Sequence, residues 1–292
     1  MVPTESELEF LVLDYLQNEG WVLVYGPDIA PGESAAERTD YRDAVLQDRL
    51  RSAVVTLNPG LPSDGVDEVT KTALRAESQS VLGENWRAYE LLVNGVPVQY
   101  READGSIRDV RARLIDWDDW SNNDLLAVNQ FTIVGKSERR PDVMLFVNGL
   151  PLVLIELKRA GNAKSTLKGA FNQVQTYVKQ IPDAFTWNQV TVISDGVQAR
   201  AATFTAGWEH YAPWKTIDGI NLAPASTPQI EVLVKGMLNP ERLLDLIRNF
   251  TVYSDESGTD AAGVKTSVIV KKTAKYHQYW AVNKAVISTV EA

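Results

Sequence analysis

The sequence predicts a protein of mixed class, α/β or α+β, because three kinds of segment alternate along it. Apolar residues recur at helical spacing in several stretches, short apolar runs of strand length lie between them, and Asn-Gly dipeptides flanked by apolar residues mark tight turns. With 292 residues there is material for one large domain or two. Hydrophobic residues at 45% and charged residues at 23% are ordinary for a globular chain and exclude disorder. The absence of cysteine excludes disulfides, thiolate nucleophiles, iron–sulfur clusters and Cys-containing zinc sites, and His210 and His277 are too few for a three-histidine metal site.

Thr4-Glu5-Ser6-Glu7 reads as a capping box that opens a helix through Leu8, Leu11, Val12 and Leu16 and stops at Gly20. Trp21–Tyr25 fits a short strand, and a loop rich in Pro, Gly and small residues follows at 27–36. Leu46, Leu50, Ala53/Val54 and Leu57 then stand at helical spacing, ended by Asn58-Pro59. A further helix is expected over 66–82, and strands and hairpins over 89–101, 106–115, 127–134 and 142–158. A helix over 165–180, strands at 189–194 and 197–204, and helical pattern at 229–250 come next. Residues 254–264 (SDESGTDAAGV) have linker composition, and 266–292 reads as a basic strand followed by the start of a helix. Val93-Asn94-Gly95-Val96-Pro97-Val98 echoes Val147-Asn148-Gly149-Leu150-Pro151-Leu152, which is read as shared hairpin grammar rather than a duplicated domain.

The net charge of −9 argues against a nucleic-acid partner only until it is divided along the chain. Residues 1–128 hold 11 basic and 24 acidic side chains, residues 129–180 hold 8 and 3, and residues 181–292 hold 10 and 11. The one basic island, net +5, contains Glu138, Asp142 and Glu156 as its only acids. Cationic side chains around a few carboxylates suit a phosphate backbone that approaches a carboxylate-bound cation. The first ten residues carry three glutamates where a signal peptide needs basic and apolar residues, and no apolar run approaches the roughly 18 residues that span a bilayer. A cytoplasmic protein with no membrane partner is expected.

The chemistry concentrates in Pro141-Asp142 through Glu156-Leu157-Lys158, two apolar strands that end in charge. Residues two apart share a face of a strand, so Glu156 and Lys158 project together while Leu157 turns to the core and still offers its backbone carbonyl. Asp142, Glu156 and that carbonyl form a hard oxygen donor set suited to Mg²⁺, and a neighbouring lysine can orient a hydrolytic water, which makes a site for phosphodiester hydrolysis. A two-residue Asn-Gly turn would pair Val147 with Leu150 and set Asp142 opposite Ile155, on the wrong face for Glu156. An odd loop over Asn148–Leu150 is therefore expected, with Pro151 at a bulge and Asp142 opposite Glu156. In the following helix Leu167, Phe171, Val174, Val178 and Ile181 form the expected core stripe, Gln173 and Tyr177 flank it four residues apart, and Lys164, Lys168 and Lys179 add charge.

Pro141-Asp142…Glu156-Leu157-Lys158 followed by Gln173-x-x-x-Tyr177 resembles the PD-(D/E)xK nuclease core with its QxxxY extension. With the flanking NNDLLAVNQFTIVG (122–135) and RRPDVMLFVNGLPLVLIELK (139–158), roughly residues 5–220 resemble the N-terminal nuclease region of the restriction (R) subunit of type I restriction enzymes. The segment 274–285 (AKYHQYWAVNKA) resembles the stretch just before the ATP-binding motif of that subunit's motor. The resemblance implies an α/β restriction endonuclease-like core, a mixed β-sheet flanked by helices, and the activity of a type I site-specific deoxyribonuclease that cuts double-stranded DNA with Mg²⁺. It implies that Asp142, Glu156 and the Leu157 carbonyl hold the metal, that Lys158 is catalytic, and that Gln173 and Tyr177 are accessory. In the full-length subunit Gln278 would read the adenine of ATP, and the partners would be the subunit's own C-terminal motor and the modification and specificity subunits. The corresponding division is a nuclease domain over 1–222, a helical segment and linker over 223–264, and the beginning of a motor over 265–292. This sequence has no motor: Gly135-Lys136-Ser137 is a decoy, since a P-loop needs glycine at position 130, which is Gln. The chain is expected to be a fragment of a longer subunit. The alternative function is a non-catalytic module that uses the same fold to dock DNA or the motor.

Other candidates have plainer readings. Asp116-Trp117-Asp118-Asp119-Trp120 lacks the ligand alternation and glycine of a calcium loop and reads as a solvated turn. Glu5, Glu7 or Glu9 would add a metal ligand only by analogy with first-helix acids in some relatives of the core, and Glu7 already has a capping role. Trp208, Tyr211 and Trp214 read as core or rim packing in preference to base stacking, and His210 as structural.

Overall fold

The computed structural model describes residues 4–102, 104–159, 167–259 and 265–291. Its central sheet has six strands in the order β1-β4-β7-β8-β9-β10, where β1 is Val22–Tyr25, β4 Leu125–Asn129, β7 Val143–Val147, β8 Leu150–Leu157, β9 Val190–Ser194 and β10 Ala199–Ala202. β1 runs parallel to β4, while β4 and β7, and β9 and β10, run antiparallel, so the sheet is mixed and the class is α/β. Strands β4, β7, β8 and β9 are buried at every position, which is why they read as continuous apolar runs without alternation.

By packing, the chain divides into two compact units, one of Val22–Leu154 with Thr176–Asn188, the other of Met1–Trp21, Ile155–Gln175 and Gln189–Ala292. In the first unit, helix α2 (Gln47–Leu57) buries Leu50, Ala53, Val54 and Leu57, the spacing seen in the sequence. The helix expected over 66–82 is instead two helices, α3 (Ser63–Leu74) and α4 (Val81–Asn94). Ser80 caps α4 by accepting from Gly83 N, and the Glu84 carboxylate accepts from Glu77 N and Ser78 N, so polar side chains shape the break.

The segment expected as strand from 89 is the second half of α4, with Glu84, Asn85, Ala88, Tyr89 and Leu92 buried on one face. Asn94-Gly95 is therefore a helix terminus and not a hairpin turn: Gly95 takes φ 76°, and the antiparallel pair β2 (Val96–Arg101) and β3 (Ile107–Ala112) starts after it. The strand expected over 127–134 breaks at Gln130 (φ 55°) into β4 and a two-residue strand β5 (Ile133–Val134), which pairs with β6 (Glu138–Arg139). Gly135-Lys136-Ser137 is the bend of that small ribbon, and a side chain at Gly135 would collide with Gln180 O.

The expected odd loop between β7 and β8 is absent. Asn148 (φ 53°) and Gly149 (φ 78°) make a two-residue turn, the twist-matched form that requires a left-handed backbone at both residues. The Asn148 side chain fixes it by donating to Leu114 O (2.8 Å) and Asn123 Oδ1 (2.8 Å) and accepting from Asp124 N (2.8 Å). β7 begins at Val143, so Asp142 lies in a bend just outside the strand and the pleat of β7 does not dictate where its side chain turns.

In the second unit, helix α1 (Glu5–Asn18) carries both halves of the expected capping box, with Glu7 N donating to Thr4 Oγ1 and Thr4 N to Glu7 Oε2. α1 packs on helix α6 (Gln229–Met237), and Trp21 Nε1 donates to Leu238 O (3.0 Å). The 229–250 region is two helices, because Pro240 starts α7 (Pro240–Phe250) under an Asn239 cap. The expected linker is corrected over 254–259: these residues belong to strand β11 (Thr251–Thr259), paired antiparallel with β12 (Lys265–Thr273), while 260–264 lie outside the described residues. The chain closes with helix α8 (Tyr276–Val290). The long helix α5 (Leu167–Gln180), whose residues from Thr176 on belong to the first unit, buries Leu167, Ala170, Val174 and Tyr177, so Tyr177 replaces the half-buried Phe171 and Val178 in the expected stripe; Lys164 lies outside the described residues.

Candidate active site

The site grows from the end of β8. Eight consecutive buried residues carry the strand into the core and deliver Glu156, with 0% of its side chain exposed, at its last turn of pleat. A carboxylate sealed from water demands a counter-charge, and Lys158 supplies it, its Nζ 2.6 Å from Glu156 Oε1. Lys158 keeps 18% of its side chain exposed, while the carboxylate it pairs with has none. The Lys158 backbone N–H donates to Ser194 O of β9 (2.8 Å), which holds the residue in line with the sheet after the strand has ended.

Glu5 reaches the same ammonium, with Oε1 at 3.4 Å. The capping box explains its position: it fixes the first turn of α1, and Glu5 is the first residue of that turn. Glu9, one turn on, is buried with 9% exposure. The acidic first helix noted in the sequence thus brings Glu5 to Lys158, while Glu7 is held by its capping role. The spacing Glu5-x-x-x-Glu9 was the available signal.

The other predicted residues are placed as follows. Leu157 is wholly buried between Glu156 and Lys158. Asp142, in the other unit, is half-buried, and its carbonyl accepts from Gln130 N (3.0 Å). Gln173 is half-buried on α5 and Tyr177, a turn later, is 2% exposed.

Against known proteins, the family described as type I restriction enzyme R protein N terminus matches residues 3–210. The chain belongs to this R-protein family. Along 292 residues, 99% of its own length, it is 38% identical to the type I restriction enzyme HindI endonuclease subunit of Haemophilus influenzae, of which it covers 27%. It is 26% identical over 305 residues to the putative type I restriction enzyme MjaIXP endonuclease subunit of Methanocaldococcus jannaschii, covering 98% of this chain and 28% of that one. The chain therefore spans about a quarter of the length of these curated relatives.

In this R-protein segment the residue expected at adenine, Gln278, is exposed at the start of α8, where its Oε1 accepts from Lys275 N (2.9 Å). It lines a cavity of about 750 Å³ together with Trp214, Phe250, Lys271, Lys272 and Tyr276. Lys271 was not singled out in the sequence. It is 1% exposed, its Nζ donates to Gln189 Oε1 (2.7 Å), and burial pushes its pKa well below the ordinary lysine value. The turn expected to be solvated is so at 118–120 but not at Asp116, which is buried: burial raises its carboxyl, but hydrogen bonds from Asn122, Asp119 and Asp118 outweigh it and hold the group below the ordinary value. Trp214 and Tyr211 are core residues at 4% and 2% exposure. His210, expected to be structural, lies at the surface with Nε2 3.6 Å from Glu209 Oε1. No helix among the described residues is long and apolar enough to cross a membrane.

Proposed function

We propose that this chain is the endonuclease domain of a type I restriction R subunit and hydrolyses phosphodiesters of double-stranded DNA with Mg²⁺. The observation that carries the reading is the sealed carboxylate of Glu156 joined to Lys158 at the end of a fully buried strand. Such a pair is costly to fold and of little use to stability, so its retention at the edge of solvent fits a chemical role. The donor set fits the metal: two carboxylates, Asp142 and Glu156, and the Leu157 carbonyl are hard oxygens, without sulfur or imidazole. When bound, Mg²⁺ would polarise the scissile phosphate and a water.

The residues of the chain have distinct tasks in this reading. Lys158 places its ammonium against the phosphate oxygens and helps to orient the attacking water. Glu5 shares that ammonium and sets its direction. Gln173 and the buried Tyr177 act by positioning, from successive turns of α5. In the full-length subunit Gln278 would meet adenine, ATP would drive a C-terminal motor, and the modification and specificity subunits would supply recognition. The division into a nuclease domain over 1–222, a connecting segment over 223–264 and the start of a motor over 265–292 belongs to the same proposal, as does a cytoplasmic location.

The test is made in the assembled enzyme. Lys158→Ala or Asp142→Ala should lower DNA cleavage by about a hundredfold or more while ATP hydrolysis and translocation continue, which also shows that the subunit has folded. Cleavage at the unaltered rate would remove these residues from the active site. The chain on its own is expected to cut weakly.

A further inference from the structure

On the surface of the unit that contains Lys158, two cations converge on one indole. Lys168 Nζ lies 4.7 Å from the centre of the Trp208 ring and 4.2 Å from that of Phe171, while Arg200 Cζ lies 5.1 Å from Trp208. Phe171 meets Trp208 edge-on at 5.7 Å, so the indole is braced by α5 and in turn braces the cations. Among the described residues neither Lys168 nor Arg200 takes part in an ion pair; Asp195, the acid nearest Arg200 in sequence, accepts from Val197 N and Gln198 N, and Glu209, next to Trp208, has Oε1 3.6 Å from His210 Nε2. In a chain of net charge −9, two cations held by aromatic rings and in no ion pair among the described residues are available to an anion.

Arg200 is also close to the cleavage site in the sheet. Lys158 N donates to Ser194 O on β9, Ser194 pairs with Ala199 on β10, and Arg200 follows it. Arg200 is thus two strands from Lys158, roughly 10 Å at the ~4.8 Å strand spacing, a separation that phosphates a few nucleotides apart on one DNA strand can span.

We propose that Lys168 and Arg200, held by Trp208, bind the DNA backbone beside the scissile phosphate. This rests on the reading of the chain as a DNA-cleaving domain. The contact is to phosphate and not to bases, since the cations and Phe171 already occupy the indole, and it is accordingly indifferent to sequence.

The experiment is equilibrium binding of a labelled duplex of arbitrary sequence by the 292-residue chain, in EDTA, across a series of salt concentrations. Two phosphate contacts contribute about 1.8 to the slope of log K against log salt. Lys168→Gln with Arg200→Gln should lower the slope by about that amount and weaken binding by about tenfold or more at 0.1 M salt. The charge-preserving pair Lys168→Arg with Arg200→Lys should keep the slope, and circular dichroism of both should match the unaltered chain. Absence of duplex binding by the unaltered chain at low salt, or an unchanged slope in the Gln pair, would overturn the proposal. A preference for single strands lost on Trp208→Leu would overturn it too, because it marks base stacking. Binding without metal does not use the carboxylates, so failure here and failure of the Lys158 or Asp142 test are separately visible.

Discussion

Asn148 holds a left-handed backbone, φ 53°, by three hydrogen bonds from a side chain that is 1% exposed. Asn148→Ala removes all three and leaves Leu114 O and Asp124 N short of a partner, which should cost about 3 kcal/mol, read as a lowered denaturant midpoint with an unchanged m-value. The sequence showed the Asn-Gly signal but not these partners, which come from 24 to 34 residues away and decide a two-residue turn over an odd one. Asp142 and Glu156 were visible for a different reason. Charge that ends an apolar run has to be satisfied, and the sequence states the demand although it does not name Glu5 as a further partner of Lys158.

Elements follow their tertiary setting more than their local grammar. Val93–Val98 and Val147–Leu152 share a pattern, yet Gly95 ends a helix and Gly149 closes a hairpin. The five buried residues of α4 supply the difference, since their spacing is helical and Asn85 is anchored by Nδ2 to Phe185 O (2.8 Å) and Asn188 O (2.8 Å). Gly95→Ala should destabilise by about 1–3 kcal/mol, because φ is 76° and the new methyl would stand 2.9 Å from Ala112 O. Thermal unfolding of the variant checks it. The fully buried strands and the capped first helix were legible because their signals are local. The strand and helix read at 266–292 are β12 and α8, but the α3–α4 break and strand β11 were not legible, since a polar loop and a polar strand look alike until a partner is present.

At the scale of the molecule, one buried charge links stability to pH. Lys271 is sealed by burial with its ammonium on Gln189, and the Tyr253 ring lies 5.4 Å away. Its folded pKa lies below that of the unfolded chain, so between those two values the unfolded state binds more protons and stability rises with pH. In that window, below about 10.5, the stability of the unaltered chain relative to Lys271→Met should grow with pH, and chemical denaturation of both proteins at pH 7 and 9 measures it. A constant difference would mean that Lys271 does not titrate there. Net charge obeys the same lesson of distribution: −9 overall conceals an island of +5 that carries every residue assigned to catalysis except Glu5. An acidic body with a local cationic site fits the nuclease proposed for this chain. The most direct test of the whole reading is the Mg²⁺ dependence of DNA cleavage by the assembled enzyme with Glu156→Gln. The account predicts cutting lowered by about a hundredfold or more at every Mg²⁺ concentration, with ATP hydrolysis retained; cutting with the unaltered rate and Mg²⁺ midpoint would contradict it.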